Sequence, residues 1–312
     1  MKFLLYLLIF SSLCYAEVPA LHLTGFIDSV GAEKKENIIN HSSNILINAE
    51  DKEAFFTNGY LIVRKAFANT SEHMRLNCEK MIQEVLTELN KKTYPYQEGN
   101  QVAYLKGSQI VFQKENGRNI SIQRIVGCGS YDDVFLQFLR SPELVDAFSF
   151  LLSSKKLEHL ICQCHPKSPG DQVHFPRHKD ITHRKNFDPD WQQIGEECSY
   201  AICIIAIDEM TPKNGGLFIE PLSNHGIAEP IPLYLNPGDA LFMHPEIYHH
   251  SGPNESGKSR MTLLTGFCIF GANHANYPGN CTNDVLTLDA RSSFETEAAP
   301  WKLNNDHSFK VK

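Results

Sequence analysis

From residue 157 to residue 270 the chain is a succession of short β-type runs, at 157–164, 171–175, 200–207, 216–220, 231–235, 240–244 and 261–270. Turn signals separate several of them: Pro169-Gly170, Asn214-Gly215-Gly216 and Asn236-Pro237-Gly238. Many short strands at this spacing predict a sandwich or barrel of jelly-roll type. The part before them has helical texture. Residues 51–56 read as a short helix, Asn58-Gly59 as a turn and 60–63 as a strand. Thr70-Ser71-Glu72 can cap a helix to about Asn90, with Met74, Cys78, Met81, Ile82 and Val85 at helical spacing. Residues 94–121 hold aromatic and β-branched patches broken by glycine and asparagine, hence strands and loops. Residues 131–152 read as helix in two pieces, begun by Asp132-Asp133 and by Ser141-Pro142-Glu143. Helices first and strands after give an α+β fold, a jelly roll flanked by N-terminal helices.

The chain has 312 residues, enough for one large domain with a full core or two small ones. Met1-Lys2, an apolar run over 3–10 and the small residues Cys14 and Ala16 match a secretory signal peptide over 1–16. That run is too short to span a bilayer, which takes about 20 apolar residues. The expected organisation is signal peptide 1–16, irregular leader 17–50, main domain 51–270 and a polar, irregular extension 271–312, in a secreted protein with no membrane span after signal removal. Without Cys14, an even set of cysteines remains. It suits disulfides in an oxidising compartment, and equally suits buried thiols where the cysteines fall in apolar runs, as Cys203 and Cys268 do. Asn40, Asn69, Asn119, Asn254 and Asn280 open glycosylation triplets. The net charge of −7 gives no footing for nucleic acid or an anionic membrane.

The chemistry centres on Pro176-x-His178-x-Asp180. On a strand, residues two apart face the same side, so an imidazole and a carboxylate would aim at one point. A second histidine can arrive from 242–252, Phe-Met-His-Pro-Glu-Ile-Tyr-His-His-Ser-Gly. Two histidines and one carboxylate on one face of a metal, with the other positions open, are the ligand set of non-haem Fe(II) oxygenases. The chain has 14 histidines, so chance pairs must be weighed. His174 and His178 are four apart, but Pro176 between them argues against a helix offering both to zinc. Cys162 and Cys164 would point away from His165 on a strand. Eleven residues past His249, Arg260 opens an apolar strand. A buried guanidinium needs an anion. A dicarboxylate cosubstrate could supply it, and so could a protein carboxylate such as Asp239.

In order, the chain carries Pro176-x-His178-x-Asp180; Asp208-Glu209-Met210-Thr211-Pro212-Lys213-Asn214-Gly215-Gly216-Leu217; Pro221-Leu222-Ser223-Asn224-His225; Gly238-Asp239-Ala240-Leu241-Phe242; His249-His250-Ser251-Gly252; and Arg260. This series resembles the phytanoyl-CoA dioxygenase family of Fe(II)- and 2-oxoglutarate-dependent oxygenases, over about residues 51–270 and including the opening Phe-x-x-Asn-Gly-Tyr-Leu-Ile-Val at 55–63. The resemblance implies a double-stranded β-helix, a cupin-like jelly roll. It implies iron ligands His178, Asp180 and His249, with Arg260 gripping the distal carboxylate of 2-oxoglutarate and Ser251 assisting. Strand alternation lets only one of His249 and His250 face the metal, and the spacing to Arg260 favours His249. Lys179 stands where many members have glutamine and is read as a cosubstrate contact; the run at 221–225 lacks the glycine of the family's Pro-Gly-Ser-His. His174, His183, His225 and His244 are read as neighbours of the site or surface groups. The implied reaction hydroxylates a small organic substrate while O2 and 2-oxoglutarate become succinate and CO2. A carboxylate at Asp180 favours hydroxylation over the related halogenases, which have a small residue there.

The substrate lining is expected in 94–110 and 181–191. His183, Arg184 and Lys185 beside Asp188, Asp190 and Trp191 would suit an anionic or glycan-like substrate; a solvated loop has the same composition. A secretory route does not suit a coenzyme A thioester. Two rival classes use the same residues. One is a secreted β-helix module that binds metal or ligand without turnover. The other is a zinc hydrolase, which has no need of Arg260.

Overall fold

The computed structural model describes residues 38–40, 45–94, 97–114, 120–195, 197–222, 229–289 and 294–299, all within the unit Asn37–Lys312. The expected signal peptide lies outside the described residues, as do Ser223, Asn224 and His225. The first half runs β1 (Ile38–Asn40), α1 (Ala49–Asn58), β2 (Tyr60–Arg64), α2 (Ser71–Asn90), β3 (Gln101–Leu105), β4 (Ser108–Lys114), β5 (Ile120–Val126), α3 (Cys128–Tyr131), α4 (Asp133–Leu139) and α5 (Pro142–Leu151). The remainder runs β6 (Lys156–Lys167), β7 (Phe175–His178), α6 (Asp180–Phe187), β8 (Tyr200–Ala206), β9 (Leu217–Glu220), β10 (Ile231–Pro232), β11 (Ala240–Met243), β12 (Tyr248–Ser251), β13 (Arg260–Ile269), β14 (Asp284–Leu288) and β15 (Phe294–Ala298).

Strand β8 explains the layering. It carries no charge, and every residue in it is buried. Ala201, Cys203 and Ile205 enter one hydrophobic cluster, while Tyr200, Ile202, Ile204 and Ala206 enter another on the opposite face. A strand covered on both faces has no reason to alternate with polar residues. Helices cover the Cys203 face, through Met74, Cys78, Met81, Val85 and Leu89 of α2 and Leu144, Val145, Phe148 and Leu151 of α5. The Ile202 face is turned toward a smaller sheet. The large sheet is ordered β1-β2-β11-β8-β13-β6-β5-β4-β3, with β14 and β15 added beside β6; the small one is β10-β9-β12-β7. Apart from the parallel β1–β2 pair, the pairing is antiparallel. Two facing sheets with helices outside one of them are the jelly roll that the strand pattern predicts and the double-stranded β-helix that the family resemblance implies.

Several local expectations change. Helix α1 starts earlier, because Asn48 caps it: its side chain accepts from the Asp51 amide at 2.9 Å, and Asp51 accepts from the Asn48 amide at 3.0 Å. Thr70 stands at the start of α2 but does not cap it; its hydroxyl donates to the Phe67 carbonyl. The stretch read as an irregular leader contributes β1. The run 171–175 becomes strand only at Phe175, because Asp171 is drawn into a turn that accepts the Ser168 amide at 2.9 Å. The stretch after Gly271, expected to be irregular, contributes two strands among its described residues: β14 pairs with β6 and with β15. Its Val285 and Leu286 are fully buried. Polar flanks conceal this short apolar strand in the sequence. Cys78, Cys128, Cys162, Cys164, Cys198, Cys203, Cys268 and Cys281 are all buried free thiols. Asn254 is also buried, donating to the carbonyls of Lys167 and Lys258. Among the described residues no helix is long and apolar enough to cross a membrane.

Candidate active site

The antiparallel register of β7 and β12 sets His178 opposite His249, with ring centroids 4.2 Å apart. Along β12 burial alternates. His249 and Ser251 turn inward, while His250 lies against Phe218, stacked at 5.0 Å. Asp180 reaches the pair by a route the sequence reading did not foresee. Strand β7 ends at His178, Lys179 is extended, and Asp180 opens α6. A carboxylate is favoured in the first turn of a helix, where the amide dipoles point outward. The strand–helix junction therefore turns the Asp180 side chain back toward the histidines.

The Asp180 carboxylate lies 3.7 Å from His178 Nε2 and 3.8 Å from His249 Nε2. One ligand atom from each residue falls within 4.8 Å of the others. These separations are too long for hydrogen bonds and short enough for one shared cation. His178 Nδ1 faces the Pro176 carbonyl at 2.7 Å, and His249 Nδ1 faces the Ile247 carbonyl at 3.3 Å. A proton held on each Nδ1 leaves the Nε2 lone pair free for a metal. Burial, then the neighbouring His249 ring, pushes the His178 pKa down. The neutral imidazole is the form that binds a metal.

Two buried basic side chains lie in the same inter-sheet region. Arg260 is 4% exposed and donates to the Gly215 carbonyl and to Thr262 Oγ1 at 3.3 Å; its Nε is buried without a partner. Asp239 does not serve it, being held by Arg64 at 2.7 Å and by the Lys65 amide at 2.8 Å. Burial lowers the Arg260 pKa to about 10, which leaves it charged at neutral pH. Its register partner on β6 is Lys167, 1% exposed, whose amine donates to Ser251 Oγ at 2.9 Å and to the Gly215 and Gly252 carbonyls. Burial and the Arg260 charge push the Lys167 pKa down to about 6. Gly215 itself has φ +77°, and a Cβ there would meet the Gly252 oxygen and Lys167 Cδ at 2.8 Å. Only glycine lets its carbonyl serve both side chains.

A cavity of roughly 470 Å³ opens between the sheets. His178, Asp180, His249, Ser251 and Arg260 line it, with Ile202, Ile204 and Leu264 as an apolar wall. Lys179 does not: it donates to Glu246 at 3.0 Å and lies over the Tyr248 ring. The segment read as a loop at 181–191 is largely helix α6, and it sends His183, Arg184 and Phe187 to the cavity while Lys185 stays exposed. The stretch at 94–110 contributes Asn100. His244 stays outside the triad, lowered to about 4 by burial. His174 faces the Gln172 carbonyl. Sequence reasoning missed Lys167 and Arg124, although the argument applied to Arg260, a cation within an apolar strand, also fits Arg124 in β5.

Residues 55–262 match the family model described as phytanoyl-CoA dioxygenase. The chain belongs to the phytanoyl-CoA dioxygenase family. The description of that family names a dioxygenase. Methylphosphonate hydroxylase of Gimesia maris is 36% identical over a stretch that covers 21% of this chain and 32% of that protein. The match thus spans about a third of the relative's length. Among solved structures, EctD from S. alaskensis with 2-oxoglutarate and 5-hydroxyectoine superposes with a TM-score of 0.55 at 14% identity, covering 72% of this chain and 77% of that one. EvdO2 from Micromonospora carbonacea var. aurantiaca gives 0.53 at 18% identity, covering 76% and 97%. At these identities the structural likenesses speak for the fold.

Proposed function

We propose that His178, Asp180 and His249 hold the iron, that Arg260 with Ser251 and Lys167 holds the distal carboxylate of 2-oxoglutarate, and that the enzyme hydroxylates a small organic substrate. One observation carries this reading: a triad with converging ligand atoms and an anion-starved Arg260 line the same cavity. The donor set fits iron(II), since two neutral imidazoles and a carboxylate leave the remaining positions open. Bound iron, with 2-oxoglutarate and O2, supplies the oxidising power for the C–H bond. The protein supplies placement. The Pro176 and Ile247 carbonyls orient the two imidazoles. The Gly215 carbonyl aligns Arg260 and Lys167, and the unpartnered Arg260 donor suits a carboxylate. Ile202, Ile204 and Leu264 keep that end of the cavity apolar, which strengthens every charge interaction inside it. The methylphosphonate hydroxylase relative supports hydroxylation as the outcome.

The test is succinate formation from 2-oxoglutarate in air, with and without Fe(II), in wild type and Arg260→Ala. The proposal expects iron-dependent succinate that falls at least 100-fold in the variant. A zinc hydrolase using the same triad would be indifferent to Arg260, so full activity in Arg260→Ala would remove the cosubstrate assignment.

A further inference from the structure

Two more arginines face the cavity, and no carboxylate among the described residues pairs with either. Arg124, in β5, lines the cavity with a buried Nε that has no hydrogen-bond partner; no carboxylate among the described residues pairs with it. Arg184, in α6, is 4% exposed. Its guanidinium lies 4.6 Å from the Tyr277 ring, 5.4 Å from Tyr200 and 5.7 Å from Trp191. Its Nε and Nη1 are buried and unpartnered. Aromatic faces and a contact with the Tyr200 hydroxyl can fix the plane of this guanidinium, but they leave its Nε and Nη1 donors unused. A buried cation with spare donors is expensive unless an anion arrives.

The charges of the cavity lead the same way. Its lining holds Arg124, Arg184 and Arg260 against one carboxylate, Asp180, an excess of two positive charges. Iron(II) adds two and the 2-oxoglutarate dianion removes two. Two positive charges then remain, with Arg124 and Arg184 as the cations that the cosubstrate does not use. Arg184 follows Asp180 by one helical turn, about 5.4 Å of axial rise. An oxyanion on Arg184 is thereby held one turn from a residue of the metal triad.

We propose that Arg124 and Arg184 form an oxyanion subsite, and that the substrate is a small organic phosphonate, phosphate monoester or carboxylate hydroxylated at a carbon close to its anionic group. This rests on the oxygenase reading for the chemistry, though not for the binding. The reaction balances: one O2 gives one oxygen atom to the C–H bond as hydroxyl and the other to succinate, while 2-oxoglutarate loses CO2. The charge excess favours a dianion over a monocarboxylate.

The test is calorimetric titration under anaerobic conditions, with Fe(II) and saturating 2-oxoglutarate present so that Arg260 is occupied. The probes are ethylphosphonate, propionate and neutral 1-propanol. Ethylphosphonate should bind at least tenfold more tightly than propionate, and 1-propanol should give no heat. Arg124→Gln and Arg184→Lys should each weaken ethylphosphonate at least tenfold while the visible band of iron with 2-oxoglutarate persists. Arg124 is half-buried and its Nε has no partner among the described residues, so its variant keeps the test open if Arg184→Lys fails to fold. Equal binding of 1-propanol, or wild-type affinity in Arg124→Gln, would overturn the subsite. A missing band with ethylphosphonate still bound through both arginines would overturn the oxygenase reading and leave the subsite standing.

Discussion

Lys167→Met should make the ligand-free protein more stable and the cosubstrate harder to bind. The wild-type amine falls from an ordinary 10.5 to about 6 on folding. At about 1.36 kcal/mol per pH unit, that difference is worth about 6 kcal/mol at acid pH. The sign follows from proton counting. Between about 6 and 10.5 the unfolded chain holds a proton that the folded chain lacks, so stability rises with pH through this window; the full penalty stands below about 6 and is gone above 10.5. Methionine has similar length and no proton. It loses the hydrogen bonds to Ser251, Gly215 and Gly252, each worth about 1 kcal/mol. A net gain of about 1–3 kcal/mol near pH 7 is expected after that loss. Urea unfolding of the ligand-free protein at about pH 6.5 and 8.5 reads the effect. Wild type should gain up to about 2.7 kcal/mol relative to the variant over that interval. Binding of 2-oxoglutarate at about pH 8 should take up close to one proton in wild type and none in Lys167→Met, read by calorimetry in buffers of different ionisation enthalpy. Parallel stability–pH curves with equal proton uptake would refute the argument that Lys167 is a buried amine awaiting an anion.

Other expectations follow from the same geometry. His249→Ala should abolish iron binding, measured by equilibrium dialysis, whereas His250→Ala should leave it within about twofold, because that ring lies against Phe218. Truncation before Asp284 should cost several kcal/mol of stability in urea unfolding, since Val285 and Leu286 are fully buried and each is worth about 1.5–3 kcal/mol. Gly215→Ala should both destabilise the fold by about 1–3 kcal/mol and weaken 2-oxoglutarate, because the added methyl displaces the carbonyl that aligns Arg260 and Lys167.

Much of the site is legible in the sequence because its parts carry local signals. Turn dipeptides mark the strands, Pro176 rules a helix out of the approach to His178, and a guanidinium entering an apolar strand announces a missing anion. Strand alternation admits only one of His249 and His250, and the spacing to Arg260 favours His249. What escapes is set by long-range pairing. Lys167 looks like an ordinary charge at a strand end until the β6–β13 register brings it beside Arg260. Asp180 reaches His178 and His249 from a helix start rather than a strand, a change that residue spacing alone does not reveal. Lys179, between His178 and Asp180 in sequence, is turned outward to Glu246 by the same junction. The β14 strand is hidden because it is five residues long and flanked by polar ones.

The most direct test of the central claim is anaerobic addition of Fe(II) and 2-oxoglutarate to the purified protein, watching for the weak visible charge-transfer band of the ternary complex. Wild type should show the band, and His178→Ala and Asp180→Ala should lose it while remaining folded. Folded, iron-loaded wild type without a band, or a band that survives in both variants, would contradict the assignment of His178, Asp180 and His249 as the iron site.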